Sequence, residues 1–378
     1  MINKHATLLK VLILFIILNS CNQHNKKLEL SKNAMSEIAD IRFVSTEVVE
    51  KGTSVISNNI FNKTIHLEGT NIEMNDVLFR PEVISLNTNR IVIVDEGDSN
   101  YFKIYSYPEF NLIGSYGRKG LGPDEINFPP IFSCMDNKKL EYFDFQKTSI
   151  FSISLLEPKT KIKLEYVLPP DLIEAQNATI LNSNNIFGSG SNYGKLYFLD
   201  TTSDEIRYSS FLAVTNTLPK NHQIIFNDGV VAITTNKSFV IYAAKYFNYF
   251  EIYKSDGTKK YTYMKAILAD QVFMQNGQIT NNNTLIYYSS AYATNKHFYL
   301  LYQGGKSYNE LLKNIETNNF TCEIHQYDLE GNPKNCFIVS VPIKSFCIDE
   351  KNGKIIIINP LSEESPIMQF YSESIQLK

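Results

Sequence analysis

Arg90-Ile-Val-Ile-Val-Asp95, Tyr101-Phe-Lys-Ile-Tyr-Ser-Tyr107 and Phe110-Asn-Leu-Ile-Gly-Ser-Tyr116 are three short β-rich runs, split by clusters of Asp, Gly, Ser, Asn and Pro. Gly117-Arg-Lys-Gly-Leu-Gly-Pro-Asp-Glu125 then closes the unit. With a preceding run at 82–86, this is one complete four-strand repeat.

The same unit recurs down the chain. Runs resembling Arg90–Asp95 begin at Lys139, Asn185, Lys237, Lys296 and Lys354, at spacings between 46 and 59 residues. A period near fifty with β-type content points to propeller blades. Each run has a preceding and a following partner, and fourth strands are found in all units but the last. Lys63–Glu68, ahead of the first unit, is the expected closing strand, pairing with Pro366–Tyr371 to complete a ring of six. A seven-bladed ring and a β-sandwich are the alternatives. A sandwich would wet one face of each strand and give cleaner alternation. Ile91-Val-Ile-Val94 and Ile355-Ile-Ile-Ile358 are instead apolar without a break, as expected for strands buried on both faces. The fold class is therefore read as all-β, a six-bladed β-propeller closed by an N-terminal strand.

The N-terminus carries Lys4 and Lys10 ahead of Val11-Leu-Ile-Leu-Phe-Ile-Ile-Leu18, too short to cross a bilayer as a helix. Leu18-Asn-Ser-Cys21 matches the lipobox pattern of bacterial lipoproteins, in which the Cys becomes the lipidated N-terminus. The chain divides into a signal segment 1–20, a polar, Asn- and Lys-rich stalk 21–55 anchored by lipid at Cys21, and a propeller 56–378. One acyl chain gives only marginal membrane binding, whereas several give a stable tether. The expected address is the bacterial cell envelope, as an outer-membrane lipoprotein on its periplasmic or surface side.

A net charge of −3 over 378 residues argues against a nucleic-acid footprint. Cys134, Cys322, Cys336 and Cys347 form no Cys-x-x-Cys pair, so the spacing offers no zinc site. Cys322 and Cys336 flank the turn Asp328-Leu-Glu-Gly331 and either face each other as a disulfide or remain two buried thiols.

With the units laid out, the chain resembles the bacterial lipoproteins that carry a six-bladed TolB-like propeller, related in shape to NHL-type propellers. The likeness rests on the lipobox at Cys21, the blade count, and Gly117–Glu125 followed by Phe128 and Pro129. It implies a fold and an address, and carries over no catalytic residue.

In a four-stranded blade, the links between second and third strands and between successive blades lie on one face of the ring. That face is expected to gather the long connections 117–130, 169–176, 214–228, 265–282 and 304–319. The last holds a predicted helix over Tyr308–Ile315 with Ser307 as cap. Long loops on a rigid scaffold are where binding usually sits. Arg118, Lys119, Asp124 and Glu125 are the candidate binding residues, although the glycines between them also suit a tight blade-to-blade crossing.

No catalytic or metal constellation is legible. Asp95-Glu-Gly-Asp98 lacks calcium-loop spacing, Gly188-Ser-Gly-Ser-Asn192 is not a nucleophile elbow, and His66, His222, His297 and His325 are read as falling in different units. The expected function is a non-enzymatic, lipid-anchored propeller, without cofactor, that binds a protein or envelope component through its long-loop face. The alternatives are a calcium-dependent lactonase- or esterase-type propeller enzyme and a glycan-binding lipoprotein using Tyr and Phe in the absence of Trp.

Overall fold

Ile91, Val92, Ile93 and Val94 are consecutive, yet none is more than 2% exposed. A strand with one wet face cannot do this. Ile91 and Ile93 pack with Ile356 and Ile358 of the last sheet, while Val92 and Val94 pack with Leu140 and Tyr142 of the next one. Alternate side chains thus serve two neighbouring sheets, the arrangement of strands set radially about an axis.

A computed structural model describes residues 61–376, apart from 123, 137, 156–161, 213–214, 216–219, 265–273, 276–277, 280–283, 318 and 363. The signal segment, Cys21 and the stalk lie outside the described residues. No helix among the described residues is long and apolar enough to cross a membrane.

Blade one is Pro81–Asn87, Arg90–Asp95, Asn100–Ser106 and Leu112–Arg118. Blade two is Ile131–Met135, Lys139–Asp144, Ser149–Ser154 and Ile162–Val167. Blade three is Asn177–Ile180, Asn185–Ser189, Leu196–Asp200 and Glu205–Ser209. Blade four is Gly229–Ile233, Phe239–Ala244, Tyr249–Lys254 and Lys259–Met264. Blade five is Leu285–Ala293, His297–Ser307, Cys322–Asp328 and Pro333–Val339. Blade six takes Ser345–Asp349, Lys354–Ile358 and Ile367–Tyr371 from the end of the chain. Neighbouring strands within each blade are antiparallel and in sequence order.

Six apolar clusters fill the six spaces between blades, which fixes the count. Blades two and three meet at Phe143, Ile150 and Tyr197. Three and four meet at Phe198 and Tyr242. Four and five meet at Phe250 and Leu300, and five and six at Leu301 and Ile357. The clusters of Ile91 and Val92 supply the remaining two. Ile355 to Ile358 are all 0% exposed, and each such burial contributes about 1.5–3 kcal/mol over an exposed side chain.

The ring is closed by an N-terminal strand, but not by the one expected. Lys63–Leu67 lies parallel to the outer strand of blade five, with Leu67 opposite Val339. After Glu68 the chain steps across, and Gly69–Asn71 pairs antiparallel with the third strand of blade six, placing Gly69 opposite Phe370. A Cβ on Gly69 would lie 2.4 Å from the Phe370 ring, so the step requires a glycine. Five consecutive residues on one blade and three on the next make this segment a staple across both.

The cysteine alternative resolves as free thiols. Cys322 lies opposite Val339 and Cys336 opposite His325, so the two do not meet, and Cys134, Cys322, Cys336 and Cys347 are all unpaired.

Candidate functional site

The first strand of every blade lines a central cavity of about 2180 Å³ that extends to Phe128, Ile173 and Leu311 of the long-loop face. Its first strands are tied from blade to blade: Ser345 Oγ accepts from Ile84 N at 3.2 Å, and Ser133 Oγ donates to the Ala178 carbonyl at 2.9 Å. At the short-turn end the cavity floor is polar. Lys237 Nζ reaches Glu141 Oε2 at 3.2 Å and the Ile180 carbonyl at 2.6 Å, joining three blades. Lys139 Nζ adds 2.5 Å to Glu141 Oε1, and Cys134 Sγ donates to Glu141 Oε2 at 2.9 Å. Burial and the Glu141 carboxylate push the Cys134 thiol up to about 12, the opposite of an activated nucleophile.

The other end is different. The described parts of the connections 72–80, 119–130, 168–176, 210–228 and 308–321 lie there. Two carry α-helices, α1, Lys220–Phe226, and α2, Tyr308–Glu316, and 168–176 carries a short 3-10 turn at Pro170–Leu172. The predicted cap of α2 is present as a full capping box, Ser307 Oγ accepting from Glu310 N and Glu310 Oε2 accepting from Ser307 N at 2.7 Å. The sequence did not reveal α1, a seven-residue helix inside a long polar connection. It is held at its end by Asn227, whose Oδ1 accepts from Leu212 N at 2.7 Å.

Phe128, Ile173, Ile224, Leu311 and Ile315 line the mouth of the cavity. Among the described residues, seven of the twelve large apolar residues that are exposed lie in connections of this face: Val77, Phe79, Leu121, Phe128, Ile173, Tyr193 and Ile225. The other five sit in strands. The backbone beneath them is pinned. Asp95, fully buried, accepts from Phe79 N at 2.9 Å and Arg80 N at 2.7 Å, holding the 72–80 connection with Val77 and Phe79 outward. Lys103 Nζ fills the centre of the acidic group, 2.9 Å from both Asp76 and Asp98. The Asp95–Asp98 turn therefore holds a cation, and that cation is the protein's own ammonium.

Charged pairs reach the mouth, among them Lys245 with Asp228 at 3.4 Å. Glu82 pairs with Lys344 through Oε2, both side chains less than a tenth exposed, and Arg80 pairs with Glu96. Burial pushes the Glu82 carboxyl up and the Lys344 ammonium down, and Glu82 Oε1 has no hydrogen-bond partner.

A family profile described as TolB-like 6-blade propeller-like matches residues 60–351. The chain belongs to that family. No curated protein matches it. Among solved structures, this TolB-like propeller is similar to a protein of Bacteroides fragilis whose name describes it as exported, with 13% identity over 81% of this chain and 98% of that one, at a TM-score of 0.51. A member of the DUF4221 family of Bacteroides vulgatus gives 10% identity over 80% and 97%, at 0.49. Regucalcin, a calcium-binding protein of Agrobacterium tumefaciens, gives 8% over 82% and 96%, at 0.45. At these identities the likeness shows the fold alone.

The TolB-like propeller places the four candidate residues on one blade-to-blade crossing of the long-loop face. Arg118, largely exposed, lies 3.4 Å from Glu125, and Glu125 Oε2 accepts from Gly122 N at 2.9 Å. Lys119 Nζ donates to the Glu96 carbonyl at 2.7 Å and lies over the Tyr101 ring. Asp124 is exposed. Gly117 has φ +70° and no room for a Cβ against Phe102. Lys119 and Glu125 thus also shape the loop, while Arg118 and Asp124 face outward.

The histidines need a correction. His297 and His325 both belong to blade five, and His66 lies in the strand added to its edge. His325 adjoins Glu323 and Cys336, a grouping hidden in the sequence because it joins two strands across a turn.

Proposed function

We propose that this protein is a capture module of the cell envelope, tethered by lipid at Cys21, that binds a protein or envelope component on the long-loop face of its propeller without chemical turnover. The observation that carries the reading is the exposure of Val77, Phe79, Leu121, Phe128, Ile173, Tyr193 and Ile225 in connections of that one face, with Phe128 and Ile173 lining the cavity itself. Exposed apolar patches rimmed by polar groups mark interaction sites. The rigid scaffold beneath supports selectivity, since Asp95 and Lys103 hold the loop and little order has to be gained on binding.

The chemistry of the cavity favours binding over catalysis. Glu82 at its mouth is neutralised by Lys344, and Glu141 at its floor by Lys139 and Lys237, so ammonium groups stand where a divalent cation would need carboxylates. The name of the Bacteroides fragilis structure, an exported protein, agrees with an envelope address. The test is a pull-down from detergent-solubilised envelope, comparing the native chain with a Phe79→Ser, Leu121→Glu, Ile173→Glu variant. The expected result is a partner recovered by the native chain and lost by the variant. Equal recovery by both removes the long-loop face from the account.

A further inference from the structure

We propose that Glu323, His325 and Cys336 form a site for a transition-metal ion of the zinc class on the outer half of blade five. Their ligand atoms all lie within 4.8 Å of one another. The strand geometry explains why. His325 and Cys336 are directly opposite in register on adjacent antiparallel strands, and Glu323 precedes His325 by two residues, so all three side chains leave the same face of the sheet. Glu323 Oε2 is 2.8 Å from His325 Nε2 and 3.7 Å from Cys336 Sγ.

Bonds of about 2.0–2.3 Å to nitrogen, oxygen and sulfur imply ligand separations of about 3.4–3.7 Å around a tetrahedral ion. The sulfur-to-oxygen distance already fits. The nitrogen-to-oxygen distance must open by well under an ångström, which Glu323 can supply because its side chain is 37% exposed while His325 is 8% exposed.

The donor nitrogen is Nε2, 2.8 Å from Glu323, and the ring that carries it is clamped, its centroid 4.5 Å from those of both Phe61 and Tyr302. A fixed imidazole beside a thiol and a carboxylate is a donor set that suits zinc better than calcium or magnesium. On binding, the thiol gives up its proton to solvent and the imidazole–carboxylate hydrogen bond opens to admit the ion. Three protein donors leave one position for water on the solvent side of Glu323.

The location gives the site a consequence. Thr64 lies opposite Cys336 in the added N-terminal strand, and the Phe61 ring packs tilted against His325. A bound ion would therefore tie the outer two strands of blade five together beneath the segment through which the propeller joins the preceding residues.

The purified full chain, stripped of metal with a chelator, is titrated with Zn²⁺ by calorimetry and with Co²⁺ by absorption. The expected result is one equivalent bound, with thiolate-to-cobalt charge-transfer absorption that is lost in Cys336→Ser. Glu323→Gln, at a partly exposed position that keeps the side-chain shape, should weaken binding by about tenfold or more. Cys134→Ser should bind as the native chain does. Absence of binding by either ion, a cobalt spectrum without a thiolate contribution, loss of that contribution in Cys134→Ser, or equal affinity in Glu323→Gln would each overturn the proposal.

Discussion

Gly69 lies directly opposite Phe370, so a residue near the start of the described chain completes the sheet formed by its end. Among the described residues the two ends of the propeller are joined by the hydrogen-bonded pairing of this strand and by the apolar packing beneath it.

Gly69→Val should therefore destabilise the whole fold. The new side chain would enter the space of a nearly buried Phe370 ring, and overpacking of this kind costs about 1–3 kcal/mol. Thermal unfolding should show one cooperative transition at lower temperature. An unchanged midpoint would mean that the segment is not seated where Phe370 requires.

Glu251 sets a pH dependence. Burial alone would raise its carboxyl, but Lys195 at 3.0 Å outweighs this, aided by the Tyr249 and Tyr253 hydroxyls and by Lys259, and the net direction is downward. A lowered folded-state value means that its stabilisation is present above the usual carboxylate range and is lost as pH falls through the folded value. Glu251→Gln leaves buried Lys195 without its counter-charge, a loss of about 3–5 kcal/mol. Denaturant unfolding should show this loss at pH 7 and a smaller difference from the native chain in acid; a difference independent of pH would contradict it.

Cys322 and Cys336 should be shielded from alkylating reagents in the folded, metal-free state. Burial pushes Cys322 up to about 11 and Cys336 up to about 12, with the Glu323 carboxylate adding to the second. Alkylation followed by mass spectrometry should label them only after unfolding, even when the protein is purified under oxidising conditions. A peptide linking Cys322 to Cys336 would contradict the register of blade five.

The apolar mouth should be dispensable for folding. Leu121 is 85% exposed and Ile173 is 68% exposed, and exposed substitutions usually move stability by no more than about 0.5 kcal/mol. Leu121→Glu and Ile173→Glu should unfold like the native chain while capturing less partner. A fall in stability matching the fall in capture would assign these side chains to packing.

What was legible in the sequence follows from what each signal encodes. Ile91–Val94 and Ile355–Ile358 announced burial on both faces because a radial sheet serves two neighbours, and Ser307 ahead of Tyr308–Ile315 announced α2 because an N-cap is local; the answering contact from Glu310 came with the structure. Lys63–Glu68 misled because its alternating pattern suits any edge strand. Only the register shows that it lies on blade five and that Gly69–Asn71 does the closing. The partners of Asp95 and Lys103, and the meeting of Glu323 with Cys336, depend on contacts between strands, which period and spacing do not carry. The glycine loop was visible, but its division between Glu125 turned inward and Arg118 turned outward was not.

The capture surface is tested most directly by photo-crosslinking in intact cells, with a photoreactive residue placed at Leu121 or Ile173 on the long-loop face and, as comparison, at Asn352 in the short turn of blade six. A discrete adduct at Leu121 and Ile173, absent at Asn352, is the expected result. Adducts at Asn352 alone, or of equal yield at all three positions, would contradict a partner held at the mouth of the ring.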